Sequence, residues 1–334
     1  MPHCWHSGEA QVCFEAIHLQ VSTTMTFTQS NTDCAQPTPA LAAYAHSWRA
    51  RSRKSRWTQW FKLSICVLTT TLTGIAQAAS LERLFVQQPT ALPAFATIGT
   101  STRRVDHAAW QHWLDRYVDA QHPSGITRVR YSQVNAQGQA ELAGYIASLT
   151  RIDPRPLNRA EQMAYWLNLY NAVTAQVVLQ HPGIDSIRDI KSGFFSIGPW
   201  GLKLVTVAGN SLSLNEIEHG ILRPVFRDHR VHFAANCASL GCPNLAAQAY
   251  DGERLNGQLA TAEQTYLAHP RGVHFRAETL ILSSIFDWYR EDFAADQAGL
   301  LRYLSAQTPA RIGQRIRSFN GKVRYEYDWA LNKP

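Results

Sequence analysis

Apolar positions recur at helical spacing along much of the chain and alternate in only a few short runs. Trp110, Trp113, Leu114, Tyr117 and Val118 share one helical face, and Leu142, Tyr145, Ile146 and Leu149 share another before the Asp153-Pro154 break. The clearest helix starts at Asn158, with Glu161 three residues on as a capping-box-like partner, and ends at His181-Pro182-Gly183. Met163, Trp166, Leu167, Tyr170, Thr174, Val177 and Val178 form its apolar face. At about 100° per residue, Asn171 falls on the shoulder of that face and Asn168 just beyond it. Amides at the edge of a core must find partners there.

Further on, 203–208 alternates like a strand and a Gly209-Asn210 turn follows. A second capped helix starts at Ser213 with Glu216 at the box position. Its inner face holds Leu214, Ile217, Ile221 and Leu222, with Glu218 in the middle of the arc and His219 on its shoulder. Arg223 and Pro224 are expected to close it. The run 230–236 reads as a strand, with Val231, Phe233 and Ala235 on one face and His232 and Ala234 on the other. It leads into Cys237-Ala-Ser-Leu-Gly-Cys242-Pro243. A helix at 255–267, a hairpin through 273–282, two more helices and a strand at 322–329 complete the pattern. Helices interleaved with few short strands predict an α+β class: a single mainly helical domain with a small antiparallel sheet, over residues 106–334. Residues 79–105 have no sustained period and are expected to form a linker or surface arm.

The 334 residues are 45% hydrophobic and 17% charged, which excludes a disordered or collagen-like chain. Of the net charge of +7, much sits near the start, where residues 1–78 carry +3. Arg49, Arg51, Arg53, Lys54, Arg56 and Lys62 precede an uncharged stretch, 63–76, and the small-residue pattern Ala76-Gln77-Ala78. This reads as a signal peptide at 49–78, for export to a periplasmic or extracellular space. An uncleaved segment anchoring the protein to a membrane is the alternative. Residues 1–48 read as disordered or as a mis-assigned start. Without 1–78, 26 Lys and Arg face 22 Asp and Glu, so the net charge falls to a modest +4, which gives no case for a nucleic-acid partner. Cys237 and Cys242 are the two cysteines beyond the leader.

Cys237, His219, Glu218 and Asn168 are the candidate catalytic set, because cysteine catalysis needs a thiolate, an imidazole to move its proton and a group to orient that imidazole. Asn171, Asn236, Ser239, Arg223 and His232 are candidate binding residues. The competing reading is a Cys237-Cys242 disulfide in a non-catalytic envelope module. A weaker one is zinc held by Cys237, Cys242, His219 and His232, whose spacing fits known patterns poorly. No GxGxxG, GxxxxGK(S/T), HExxH or GxSxG motif occurs, and no cofactor or metal is called for.

QMAYWLNLYNAVT from Gln162, LSLNEIEHGILRP from Leu212 and VHFAANCASLGCPNL from Val231 resemble the domain of unknown function 547 family. SSIFDWYREDF and YEYDWALN resemble its continuation, so the likeness spans 106–334 and is densest between 158 and 290. The resemblance implies a distant relation to papain-like and transglutaminase-like cysteine enzymes. On that analogy Cys237 is the nucleophile, His219 the base, and Asn168 or Glu218 the orienter, although papain places its cysteine before its histidine. The expected activity is acyl or amide hydrolysis or transfer on an envelope peptide or polymer.

Overall fold

The computed structural model describes residues 88–191 and 198–334. The expected disordered start and signal peptide lie outside the described residues. Helices α1 (Ala108–Tyr117) and α2 (Ala136–Thr150) bury the faces read from their spacing: Trp110, Trp113, Leu114 and Tyr117 on one, Leu142, Tyr145, Ile146 and Leu149 on the other. Between them, β1 (Val118–Asp119) pairs antiparallel with β2 (Arg128–Val129).

Helix α3 (Arg159–Leu179) is the axis of the domain. Asn158 caps it, its Oδ1 accepting from the amides of Ala160 and Glu161 at 3.1 Å. The sequence carries no charge from Gln162 to Leu179, and buried residues lie on every side of the helix instead of one face. Glu161 does not complete a capping box. Its Oε1 accepts from the Val105 amide at 2.6 Å, and the Asn158 amide donates to Ser101 O. Both bonds come from the stretch expected as a linker. Its described part, 88–105, packs on the domain: Phe95 is buried edge-on against Trp166 at 5.0 Å, and Ser101 bridges to Leu157. Among the described residues no helix is long and apolar enough to cross a membrane.

The hairpin of β3 (Val205–Val207) and β4 (Asn210–Leu212) turns through Ala208 and Gly209, both at positive φ, as a tight turn of this hand requires. Ser213 and Glu216 then form the expected capping box for α4 (Leu214–Ile217). The helix does not stop at Arg223-Pro224. It loosens into a π-helical stretch, Glu218–Leu222, and continues as α5 (Arg223–Phe226), ending where Arg227 turns left-handed at φ 46°. Pro224 has no amide proton to give the preceding turn, and the carbonyls of His219 and Gly220 accept instead from the amides of Thr90 and Leu92.

The strand expected at 230–236 is a helical turn, α6 (Val231–Ala234). Asp228 sets it up by accepting from the Arg230 amide, and its carbonyl accepts from the Val231 amide. The short apolar run has no alternating exposure to reveal, because α6 sits between two hydrophobic cores. Val231 and Ala234 belong to the larger core around α3, while Phe233 belongs to a second one with Tyr266, Leu282, Phe286 and Leu304.

The second core is built by α7 (Leu255–Ala268), β5 (Val273–Arg276), β6 (Thr279–Ser283), α8 (Ile285–Trp288), α9 (Arg290–Phe293), α10 (Gln297–Gln307), α11 (Ala310–Arg317) and β7 (Lys322–Glu326). Four helices, two of them single turns, stand where two were expected. β5 and β6 form the expected hairpin, but β7 joins β6 in parallel, because the helical crossover returns the chain to the same end of the sheet. The described residues thus form a mixed helical and stranded fold with small sheets and, among them, no barrel.

Candidate functional site

After α6 the backbone extends at Ala235 and enters the cysteine loop between the two cores. Two buried asparagines hold that loop. Asn171, from the middle of α3, donates to Ala234 O at 3.0 Å and accepts from the Asn236 amide at 2.8 Å. Asn236 in turn donates to Pro243 O at 2.7 Å and accepts from the Ala238 amide at 2.9 Å, which closes the loop on itself. Ala238 takes the left-handed conformation, φ 62°.

The far side of the loop is sewn to the segment after β7. The Leu240 amide donates to Ala330 O, the Gly241 amide to Asp328 O, both at 2.7 Å, and the Asn332 amide to Ala238 O at 2.9 Å. Gly241 is required here, since a Cβ would lie 2.8 Å from the Asp328 nitrogen.

This stitching brings Tyr327 to the loop. The Cys237 sulfur, partly exposed, lies 3.1 Å from Tyr327 Oη and 3.2 Å from Ser239 Oγ, and the two hydroxyl oxygens lie 3.0 Å apart. Cys242 is buried beneath, its sulfur accepting from the Cys237 amide at 2.8 Å. Both cysteines are free thiols. Burial opposes ionisation of Cys237, but the neighbouring Cys242 thiol and the hydroxyls of Ser239 and Tyr327 outweigh that and bring the thiol down to about 7. Cys242 moves the other way. Burial pushes it well up, and its bond to Cys237 and the charge on that neighbour add to the effect. Tyr327 also holds its proton more tightly, through burial and then through the charge on Cys237 and Cys242, so it remains a donor.

A second polar cluster is built on the π-helical stretch, a geometry that recurs at functional sites. Glu218 and His219 are both buried there. Tyr170 Oη donates to Glu218 Oε2 at 2.9 Å, and Arg223 donates to His219 Nδ1 at 3.2 Å. Asp292, from α9, accepts from Arg223 Nε at 2.5 Å and lies 2.6 Å from His232 Nε2. The other His232 nitrogen lies 4.0 Å from Glu218 Oε1, and the ring stacks on Tyr289 at 4.2 Å. Burial, assisted by Arg223 and His232 and opposed by Glu218 and Asp292, lowers His219 to about 4. His232 is lowered too, by burial against the pull of Asp292. Asp292 is carried the other way against burial, to about 2, by His232 and Arg223.

The structure therefore divides the sequence-derived set. Cys237 and Ser239 meet, as do Glu218, His219, Arg223 and His232. Among the described residues the hydrogen-bond partners of the Cys237 sulfur are Ser239 and Tyr327, and no histidine nitrogen is one of them. Asn168 orients no histidine. It donates to Tyr250 O at 2.8 Å and accepts from the Tyr250 amide at 2.9 Å. Asn171 and Asn236 shape the loop instead of reaching its opening. Among the described residues no group of His, Cys, Asp or Glu is arranged to hold a metal ion, so the zinc reading has no site there.

Tyr327, Asp292 and Tyr289 escaped the sequence reading, although they lie in YEYDWALN and SSIFDWYREDF, segments with more aromatic and acidic residues than a small sheet needs. Tyr327 also opens an aromatic wall beside the thiol. Its ring packs on Trp288 at 4.8 Å and on Trp329 at 4.6 Å, Trp200 meets Trp329 edge-on at 5.8 Å, and Arg188 lies over Trp329 at 5.0 Å. Trp110 and Trp113, by contrast, are core.

Residues 154–267 match the model of a family described as "Protein of unknown function, DUF547". No curated protein and no solved structure matches the chain.

Proposed function

We propose that this chain, whose residues 154–267 match the DUF547 family model, is an exported cysteine-dependent hydrolase or transferase of acyl or amide bonds, with Cys237 as its nucleophile. The observation that carries the reading is the partly exposed Cys237 sulfur between the hydroxyls of Ser239 and Tyr327, with its ionisation near neutral pH. Thiolate, not thiol, attacks a carbonyl. Here the hydroxyls take the place of a histidine partner, stabilising the thiolate by hydrogen bonding. In the reaction the sulfur adds to the carbonyl carbon, and Tyr327, which keeps its proton, donates to the developing oxyanion. The leaving group departs with a proton drawn from water, and a second water or an acceptor nucleophile releases the thioester.

Export rests on the basic run 49–62 followed by an uncharged stretch and an A-x-A pattern. An envelope peptide or polymer is the substrate class that location supplies, and the half-buried rings of Tyr327 and Trp329 beside the thiol, backed by the buried Trp288, offer it apolar surface.

The test is the rate of iodoacetamide alkylation at Cys237 against pH, read by peptide mass spectrometry. A rate that rises through a midpoint near 7 supports the nucleophile; one that rises only above 8 overturns it. A second reading, a non-catalytic envelope module with a Cys237-Cys242 disulfide, draws on the missing histidine contact at the sulfur. It requires a Cys237 that does not alkylate until the bridge is reduced.

A further inference from the structure

We infer that Cys237 and Cys242 act as a peroxide-oxidisable pair, in which a hydroperoxide converts the Cys237 sulfur to a sulfenic acid and Cys242 then closes a reversible disulfide onto it. The inference deepens the reading of Cys237 as a nucleophile and rests on it.

Three features of the loop carry it. The Cys237 sulfur is partly exposed and is flanked by two hydroxyls, Ser239 Oγ at 3.2 Å and Tyr327 Oη at 3.1 Å. Those groups can hold a peroxide oxygen in line with the sulfur. Cys242 lies directly beneath, close enough for its sulfur to accept from the Cys237 amide, and is shielded from solvent. An oxidant from outside therefore reaches Cys237 first, while Cys242 is placed to resolve it. The pair also sits in a stretch of small residues, with Ala238 left-handed between Cys237 and Ser239.

The chemistry balances. The Cys237 thiolate attacks one peroxide oxygen, so an S–O bond forms and the O–O bond breaks. The departing hydroxide, or the alkoxide of an organic hydroperoxide, takes a proton from solvent and leaves as water or an alcohol. The Cys242 sulfur then attacks the sulfenic sulfur, an S–S bond forms, the S–O bond breaks, and the hydroxyl leaves as water with the Cys242 proton. The two sulfurs together lose two electrons, which the peroxide gains. A dithiol returns them. The charge on Cys237 is one of the effects that hold the Cys242 proton in place. Oxidation of Cys237 removes that charge, so the first step prepares the second.

The experiment takes the reduced full-length chain, adds hydrogen peroxide, and maps cysteines by alkylation and peptide mass spectrometry. In the wild type, a Cys237-Cys242 crosslinked peptide should form, and Cys237 alkylation should fall at least about tenfold and recover with dithiothreitol. In Cys242→Ser, dimedone should trap a sulfenic acid at Cys237. If that variant does not fold, dimedone added to the wild type during oxidation gives the same readout. Rapid alkylation of Cys237 with no crosslink, or direct passage to a sulfinic acid while Cys242 stays alkylatable, overturns the pair and leaves the nucleophile standing. A bridge that dithiothreitol cannot open, or a Cys237 inert to both reagents, overturns both.

Discussion

Asn168 and Tyr250 exchange two hydrogen bonds across the buried face of α3, side-chain amide to backbone carbonyl at 2.8 Å and backbone amide to side-chain oxygen at 2.9 Å. The pair behaves as a stretch of β-ladder with one rail replaced by a side chain. Asn168 thereby fixes the entry to α7, and it does so without touching a catalytic group. Asn168→Ala should lower stability by about 2–3 kcal/mol, since it leaves two buried backbone groups of Tyr250 without partners. Urea unfolding would show this as a lower midpoint with an unchanged slope. Cys237 alkylation in the folded variant should match the wild type; a large loss of thiol reactivity at full stability would restore Asn168 as an orienter.

The hydroxyls around Cys237 should set its reactivity. Tyr327→Phe and Ser239→Ala each remove a hydrogen bond that favours the thiolate, so the alkylation midpoint should move up from about 7. At neutral pH the rate should drop about three- to tenfold in each. A midpoint that does not move in either variant would mean that Cys242 and burial alone govern the thiol.

Acid should weaken the fold in two stages. His107 and His219 are both held near 4, chiefly by burial, whereas an unfolded imidazole takes up its proton near 6.5. Protons therefore bind the unfolded chain first, and the stability present above pH 6.5 is lost as pH falls toward 4. Asp292, depressed to about 2, adds a second loss between about pH 4 and pH 2. His219→Gln keeps an acceptor for Arg223 and cannot titrate, so its unfolding midpoint should change less between pH 7 and pH 4, by up to about 3 kcal/mol. Equal slopes in the two proteins would contradict this.

The π-helical stretch frees the carbonyls of His219 and Gly220, and the amides of Thr90 and Leu92 take them at 3.1 and 2.8 Å. A Cβ at residue 220 would meet the Leu92 side chain at 2.8 Å. Gly220→Ala should therefore loosen residues 88–95, cost about 1–2 kcal/mol, and make that segment cleave faster in limited proteolysis. Unchanged cleavage would show that the Leu92 side chain simply swings aside.

Caps and helical faces were legible because their signals are local: Ser213 and Glu216 meet within one turn, and Asn158 binds the next two amides but one. The α6 run misled because period counting assumes one wet face, and Val231 to Ala234 has none. Glu161 misled for a related reason: its partner is Val105, fifty-six residues away, not the neighbouring cap. For the candidate site, the sequence displays the residue types and not their pairings. Cys237 and Ser239 were recognisable from the loop, but Tyr327 reaches them from ninety residues further on, by a parallel strand that no local pattern encodes.

That separation has a consequence for the chain during its own folding. Parallel pairing of β6 with β7 has to wait for the whole helical crossover between them, the slowest kind of contact to close. Until it closes, Tyr327 is absent from the loop and Cys237 loses one of the hydrogen bonds that favour its thiolate. The contact of Tyr327 with the Cys237 sulfur is thus expected to form late, and the rate of Cys237 alkylation during refolding should report completion of the second core.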